Sequence, residues 1–228
     1  MSFHHSPKIV TDGLVLCLDA GNRKSYSGSG TIWRDLAGSN NGTLINEPTY
    51  SSANNGSIIF DGIDDYVSMP ITSSGDSLDF TTQMSFTVWV FPILGCGLYI
   101  FAKNLNGGYA DQQYGCDFEN NQTRFVLSGD STLRSTENSV PYNTWTNICG
   151  VWNGSKQLIY INGLLNAIRD FSTIPTFKPN LFIGWRSSGA PSHYFKGRIS
   201  NLTFNKRALS ELEVLQNYKA LKGRFLLT

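Results

Sequence analysis

Charge is scarce in this sequence. Only 15% of its 228 residues are Asp, Glu, Lys or Arg, which sets it apart from the charge-rich compositions that stay disordered. The 18 basic and 17 acidic residues nearly cancel. No run of Lys or Arg is interleaved with aromatics, so the electrostatic footprint of a nucleic-acid binder is missing. No apolar run approaches the roughly twenty residues of a membrane helix. Residues 1–7 have neither the basic start nor the apolar core of a secretory signal. The expectation is a soluble chain with no nucleic-acid and no membrane partner. Histidine is limited to His4, His5 and His193, two of them beside the N-terminus, so neither a catalytic triad nor a three-histidine zinc site can be assembled. The four cysteines, Cys17, Cys96, Cys116 and Cys149, form no C-x-x-C pair. Cys17 and Cys149 fall inside apolar runs, and buried free thiols are expected.

What the sequence does have is aromatic residues, 13% of the total, and short apolar runs separated by Gly, Asn, Ser and Asp. That alternation predicts many strands joined by turns, over 14–19, 57–60, 66–69, 85–91, 99–103, 114–118, 123–127, 145–152, 157–161, 181–184 and 198–204. All-β sandwiches of this length commonly form one domain. The expected organisation is an arm over residues 1–12 and a single domain over 13–228. In Ser85-Phe86-Thr87-Val88-Trp89-Val90-Phe91, Phe86, Val88 and Val90 share one face, and Thr87, Trp89 and Phe91 share the other. A strand apolar on both faces belongs in the middle of a covered sheet. Asn162-Gly163 between apolar stretches predicts a type I′ hairpin. Ser210 and Glu213 form a capping box, with Leu212, Leu215, Tyr218 and Leu221 as the apolar stripe of a C-terminal helix and Gly223 as its stop. Residues 21–46 read as a long polar loop.

Along the chain stand Gly13-Leu14-Val15-Leu16-Cys17-Leu18-Asp19, Trp33, Asp35-Leu36, Asn41-Gly42-Thr43-Leu44, Ser57-Ile58-Ile59-Phe60-Asp61-Gly62-Ile63-Asp64-Asp65-Tyr66-Val67, Ser85 to Val90, Gly150-Val151-Trp152-Asn153-Gly154, Tyr160-Ile161-Asn162-Gly163, Phe195-Lys196-Gly197-Arg198-Ile199 and Asn205 to Ser210. Together these stretches resemble laminin G-like domains of the concanavalin A-like jelly-roll type, of the kind found in tailed-phage virion structural proteins and bacterial surface proteins. Their order along the chain carries the resemblance. Cys17 replaces an aromatic or aliphatic residue, and residues 95–113 have no counterpart. The resemblance implies an all-β, two-sheet antiparallel jelly-roll sandwich with a short C-terminal helix. It leaves function open, because this sandwich serves as lectin, adhesin, protein-binding module and virion component.

Asp61, Asp64 and Asp65 are hard oxygen ligands of the kind calcium selects. The alternative is that Asp61 and Asp64 hydrogen-bond their own turn, with Gly62 supplying a positive φ. The resembling glucanases carry Glu-x-Asp-x-Glu on one strand, which is absent here. Asp117 and Glu119 lie two apart on a predicted strand, where a solvated outer face accounts for them. No enzyme activity is expected. Sugar binding needs exposed aromatics beside amides or carboxylates, and Tyr109, Trp185 and Tyr194 qualify, whereas Trp89, Trp145 and Trp152 read as core. The function expected first is a structural or decoration protein of a phage particle, capsid- or tail-associated and self-associating in that assembly. A glycan-binding adhesin module of an extracellular or bacterial surface is the alternative. Phe3, Ile9, Phe225 and Leu226, large apolar residues in terminal segments, are the candidate anchors to other virion proteins.

Overall fold

The protein is described from a computed structural model over residues 7–71, 74–95, 99–105, 111–129, 131–173, 175–187 and 193–226. Two antiparallel sheets pack face to face. One contains β1 (Leu14–Asp19), β4 (Thr49–Ser51), β5 (Ser57–Asp61), β7 (Met84–Pro92), β12 (Thr146–Trp152), β13 (Lys156–Ile161), β14 (Leu164–Asp170) and β16 (Lys196–Asn205). Its order is β14-β13-β12-β7-β16-β5-β4, with β1 also on β16. The long β16 serves two partners on one edge, β5 along residues 196–199 and β1 along 201–205. The other sheet contains β2 (Ile32–Trp33), β3 (Gly42–Ile45), β6 (Tyr66–Met69), β8 (Tyr99–Asn104), β9 (Gln112–Glu119), β10 (Gln122–Leu127), β11 (Ser131–Arg134) and β15 (Leu181–Ile183), in the order β11-β10-β9-β8-β15-β6-β3-β2.

The core lies between the sheets. Phe86, Val88 and Val90 of β7 point into it, and Phe86 meets Phe101 and Phe125 of the facing sheet edge-on, with centroids 4.9 and 5.1 Å apart, the arrangement favoured by the ring quadrupoles. Gly150 on the neighbouring β12 makes room for that ring, because a Cβ there would stand 2.1 Å from Phe86.

The opposite face of β7 is covered as its sequence predicts, and the C-terminal segment covers it. Helix α1 (Glu211–Leu221) starts at a capping box: Ser210 Oγ accepts from Glu213 N, and Glu213 Oε2 accepts from Ser210 N at 2.8 Å. Its packed stripe matches the expected one at Tyr218 and Leu221 but not at its start. Leu212 is 78% exposed, while Val214 and Asn217 are buried and Tyr218 and Leu221 pack on the sheet. Positions 214, 217, 218 and 221 follow the true helical period, which a strict three-residue spacing drifts away from. Gly223 does not stop the helix by a positive φ either, since the chain continues as a 3₁₀ turn over Lys222–Phe225 and turns left-handed at Leu226.

Residues 21–46 are not a loop throughout. They include β2 and β3, and Tyr26, Trp33 and Leu44 are buried; short edge strands rich in Gly, Ser and Asn are hard to distinguish from polar loops. The Asn162-Gly163 hairpin forms as expected, with φ of 50° and 79° at its two central residues. Cys17, Cys116 and Cys149 are buried free thiols. Burial pushes Cys17 and Cys149 up to about 12, so neither is a reactive thiolate. Cys96 lies outside the described residues.

Phe225 is not available as a docking anchor. It is 4% exposed, stacked on Trp89 with centroids 4.2 Å apart and against Trp145 at 4.6 Å, because the outward face of β7 has to be shielded from water. The described part of the arm also packs on its own domain: Val10 N donates to Asn217 Oδ1 at 2.7 Å, Gln216 Nε2 donates to the Lys8 carbonyl at 2.8 Å, and Ile9 is half-buried. Leu226 is 85% exposed. Phe3 lies outside the described residues.

Candidate functional site

The site forms where β5 turns into β6. Asp61 closes β5, and its Oδ1 accepts from Ile63 N at 2.8 Å and Asp64 N at 3.4 Å. Asp65 Oδ2 accepts from Asp61 N at 3.0 Å, and Asn46 Nδ2 donates to the Asp64 carbonyl at 2.9 Å. Gly62 adopts φ 78°, and a Cβ there would stand 2.6 Å from Lys196. The turn is thus held by Asp61 and Asp65. Asp64, expected to share that work, has no side-chain partner among the described residues.

One ligand oxygen from each of Asp61, Asp64 and Asp65 lies within 4.8 Å of the others. Asp65 is buried, and its carboxyl is pushed up to about 6, first by burial and then by the neighbouring charges of Asp61, Asp64 and Glu47. The donor set is all hard oxygen and a buried negative charge stands uncompensated, which fits a calcium ion.

The next residue, Tyr66, joins an aromatic cluster. Because β6 pairs with β15, Tyr66 lies beside the residues that leave β15. Gly184 (φ 80°) sits against Phe60, where a Cβ would stand 2.6 Å from the ring. The chain then presents Trp185, whose ring centroid is 4.8 Å from Tyr66 and 4.9 Å from Phe182. Tyr194, just before β16, stacks on Trp185 with an interplanar angle of 7° at 5.5 Å. Tyr66, Trp185 and Tyr194 are all half-buried. Burial raises the Tyr194 hydroxyl, and the charge of Asp64 adds to the shift, so carboxylate and aromatics share one electrostatic environment.

The structure therefore brings together two groups of residues that the sequence offers separately, the acidic turn and the pair Trp185 and Tyr194. Tyr66 is the member that sequence reading missed; its signal was adjacency to the acidic turn. Tyr109 lies outside the described residues. Trp89, Trp145 and Trp152 are core, as expected.

Asp117 does not sit on a solvated face, and Glu119 is only partly open to solvent. Asp117 is fully buried, its Oδ1 accepting from Arg124 Nε at 2.5 Å, and Glu119 Oε2 receives Arg124 Nη1 at 2.8 Å and Arg134 Nη1 at 3.2 Å. Burial raises the Asp117 carboxyl to about 6 against the pull of Arg124. The arginines explain the reversal: a carboxylate can leave water when a guanidinium replaces its hydration.

The two sheets and the covering helix define a lectin-like sandwich. The chain belongs to the concanavalin A-like lectin/glucanases superfamily, whose laminin G-like sequence profile matches residues 61–215. Solved structures similar to it include a sialidase of Trypanosoma rangeli in complex with sialic acid, at TM-score 0.66 and 16% identity, covering 94% of this chain and 34% of that one. The binding domain of botulinum neurotoxin DC in complex with SialylT matches at TM-score 0.68 and 14% identity, covering 92% and 52%. The binding domain of Paraclostridial Mosquitocidal Protein 1 matches at 0.68 and 17%, covering 91% and 52%. The chain thus spans about a third of the sialidase and half of the toxin domains. No curated protein sequence matches.

Proposed function

We propose that this chain is a non-enzymatic glycan-binding module whose contact surface is Tyr66, Trp185 and Tyr194 beside Asp64. The observation that carries this reading is the half-open aromatic stack next to an unpartnered carboxylate: flat rings pack on the apolar face of a pyranose, and a carboxylate accepts from its hydroxyls. The sialidase and the toxin binding domain, both solved with sialic acid or a sialylated ligand, supply precedent on the same fold and nothing closer. A calcium ion at Asp61, Asp64 and Asp65 would fix the turn that presents Tyr66. Catalysis is disfavoured because Asp117 and Glu119 are occupied by Arg124 and Arg134 and His193 is the sole histidine among the described residues. A glycan array tests the reading: the wild type should retain a defined set of glycans and Trp185→Ala should lose it, whereas an empty array or an unchanged pattern would reject it.

A second reading, incorporation of the domain into a larger particle such as a phage virion, finds support in β14. It is an edge strand, and Leu164, Leu165 and Ile168 are 66%, 46% and 49% exposed, the kind of edge that invites pairing. Light scattering checks it, since Leu164→Lys should reduce any self-association of the wild type. The two readings are compatible on the surface of a particle or a bacterial cell.

A further inference from the structure

Opposite in character to the acidic turn is a cleft of about 250 Å³ lined by Arg23, Lys24, Arg34, Ser27, Ser29 and Thr31. It lies between β1 and β2, at the edge of the sheet and two strands from β6. Hydrogen bonds hold the backbone on both sides of the cleft. Ser25 is buried, its Oγ donating to the Arg34 carbonyl at 2.6 Å and accepting from Asp19 N at 3.0 Å, while Arg34 N donates to the Ser25 carbonyl at 2.8 Å. Asn22 Oδ1 accepts from Lys24 N at 3.0 Å, and the Asn22 carbonyl accepts from Ser25 N and Tyr26 N. The backbone therefore fixes where all three cations originate.

None of the three is ion-paired to a carboxylate among the described residues, a state shared by other surface cations such as Lys206 and Lys219; what distinguishes them is that they line one cleft. Asp19 and Asp35, the acidic residues flanking the segment, are already engaged. Asp19 receives both Arg224 Nη atoms at 2.8 Å, and Asp35 caps the backbone amides of Cys17, Ala37 and Asn40. Arg23, Lys24 and Arg34 are all exposed and line the same concavity, where an anion would meet several cations at once. In a chain whose overall charge is only +1, this is a local arrangement and not a general basic character.

We propose that this cleft binds an acidic sugar residue, with Arg23, Lys24 and Arg34 holding its sulfate or carboxylate and Ser27, Ser29 and Thr31 meeting its hydroxyls. Guanidinium groups match the two-oxygen edge of such anions. The volume is several times the roughly 30 Å³ share of a water molecule, so a bare inorganic anion would leave most of the cleft to water, whereas a ring bearing the anion fills it with polar atoms facing the hydroxyls. The site is separate from the aromatic one and does not depend on its assignment.

The test is titration calorimetry with a sulfated heparin-derived disaccharide, its desulfated counterpart and sodium sulfate. The sulfated disaccharide should bind at least tenfold more tightly than either of the others and should weaken as salt is raised. Arg34→Gln and the double change Arg23→Gln with Lys24→Gln should each weaken it at least tenfold. Lys219→Gln on the exposed side of α1 should not change it. Should Arg34→Gln unfold, the double variant alone decides. Absence of binding, equal binding of the desulfated sugar, or equal loss in Lys219→Gln overturns the proposal. A match between sodium sulfate and the disaccharide also overturns it, reducing the cleft to a site for an adventitious ion only.

Discussion

Two aromatic clusters of similar composition have opposite fates in this fold. On the outer face of β7, Trp89, Trp145 and Phe225 are 0%, 7% and 4% exposed, and the C-terminal turn closes over them. Beside the β5–β6 turn, Tyr66 and Tyr194 lie 4.8 and 5.5 Å from Trp185, yet all three rings stay half-buried and the cluster borders the carboxylate of Asp64. Burial, not ring chemistry, separates them. The first cluster secures the terminus to the sandwich, and the second keeps ring faces and hydroxyls within reach of a ligand.

The comparison is broken most forcefully at its sealed half. Phe225→Ala should destabilise the fold by about 3–5 kcal/mol, the usual loss for truncating a buried Phe, read as a lowered denaturation midpoint with α1 loosened. A change under 1 kcal/mol would mean that the terminus is not part of the folding unit. Next in size is calcium at the open half: an ion bound only by the native state at one hundred times its Kd adds about 2.7 kcal/mol. A melting temperature indifferent to millimolar calcium and to EDTA would remove the ion from Asp61, Asp64 and Asp65. Ser210→Ala should lose about 1 kcal/mol through the N-cap bond, visible in the same denaturation curves, and an unchanged midpoint would show that the cap is redundant.

A pH-dependent effect concerns Asp65 in calcium-free solution. Its carboxyl is raised from 3.8 to about 6 in the folded protein, so the native state holds that proton more tightly than the unfolded chain does. The stability this contributes is fully present at low pH and is lost as pH rises through about 4 to 6. Asp65→Asn should therefore flatten the decline of stability across that window relative to wild type. A parallel decline would place the effect elsewhere, Asp117 being the other carboxyl raised to about 6.

The sequence was most legible where local and global requirements agree. The alternation in 85–91, the Asn162-Gly163 turn and the Ser210–Glu213 capping box each state a local geometry, and each appears where expected. It was least legible where partners lie far along the chain. Nothing local to Phe225 says that Trp89 and Trp145 wait to receive it, so an apolar residue near a terminus looked like a docking anchor. Asp117 looked solvated because the arginine that allows its burial belongs to another strand. For the site, the carboxylates and two of the three rings were identifiable by type, but their convergence depends on β6 pairing with β15, a contact between residues more than a hundred positions apart. The cationic cleft went unread because Arg23, Lys24 and Arg34 form no run.

The central claim, that the open aromatic cluster binds a glycan while the sealed one only stabilises, is tested most directly by titration calorimetry of Trp185→Ala. The ligand is the strongest glycan that wild type and Arg34→Gln retain alike on the array, which keeps the cationic cleft out of the measurement. The account predicts binding weakened at least tenfold with a denaturation midpoint lowered far less than by Phe225→Ala. Full affinity in Trp185→Ala would contradict it.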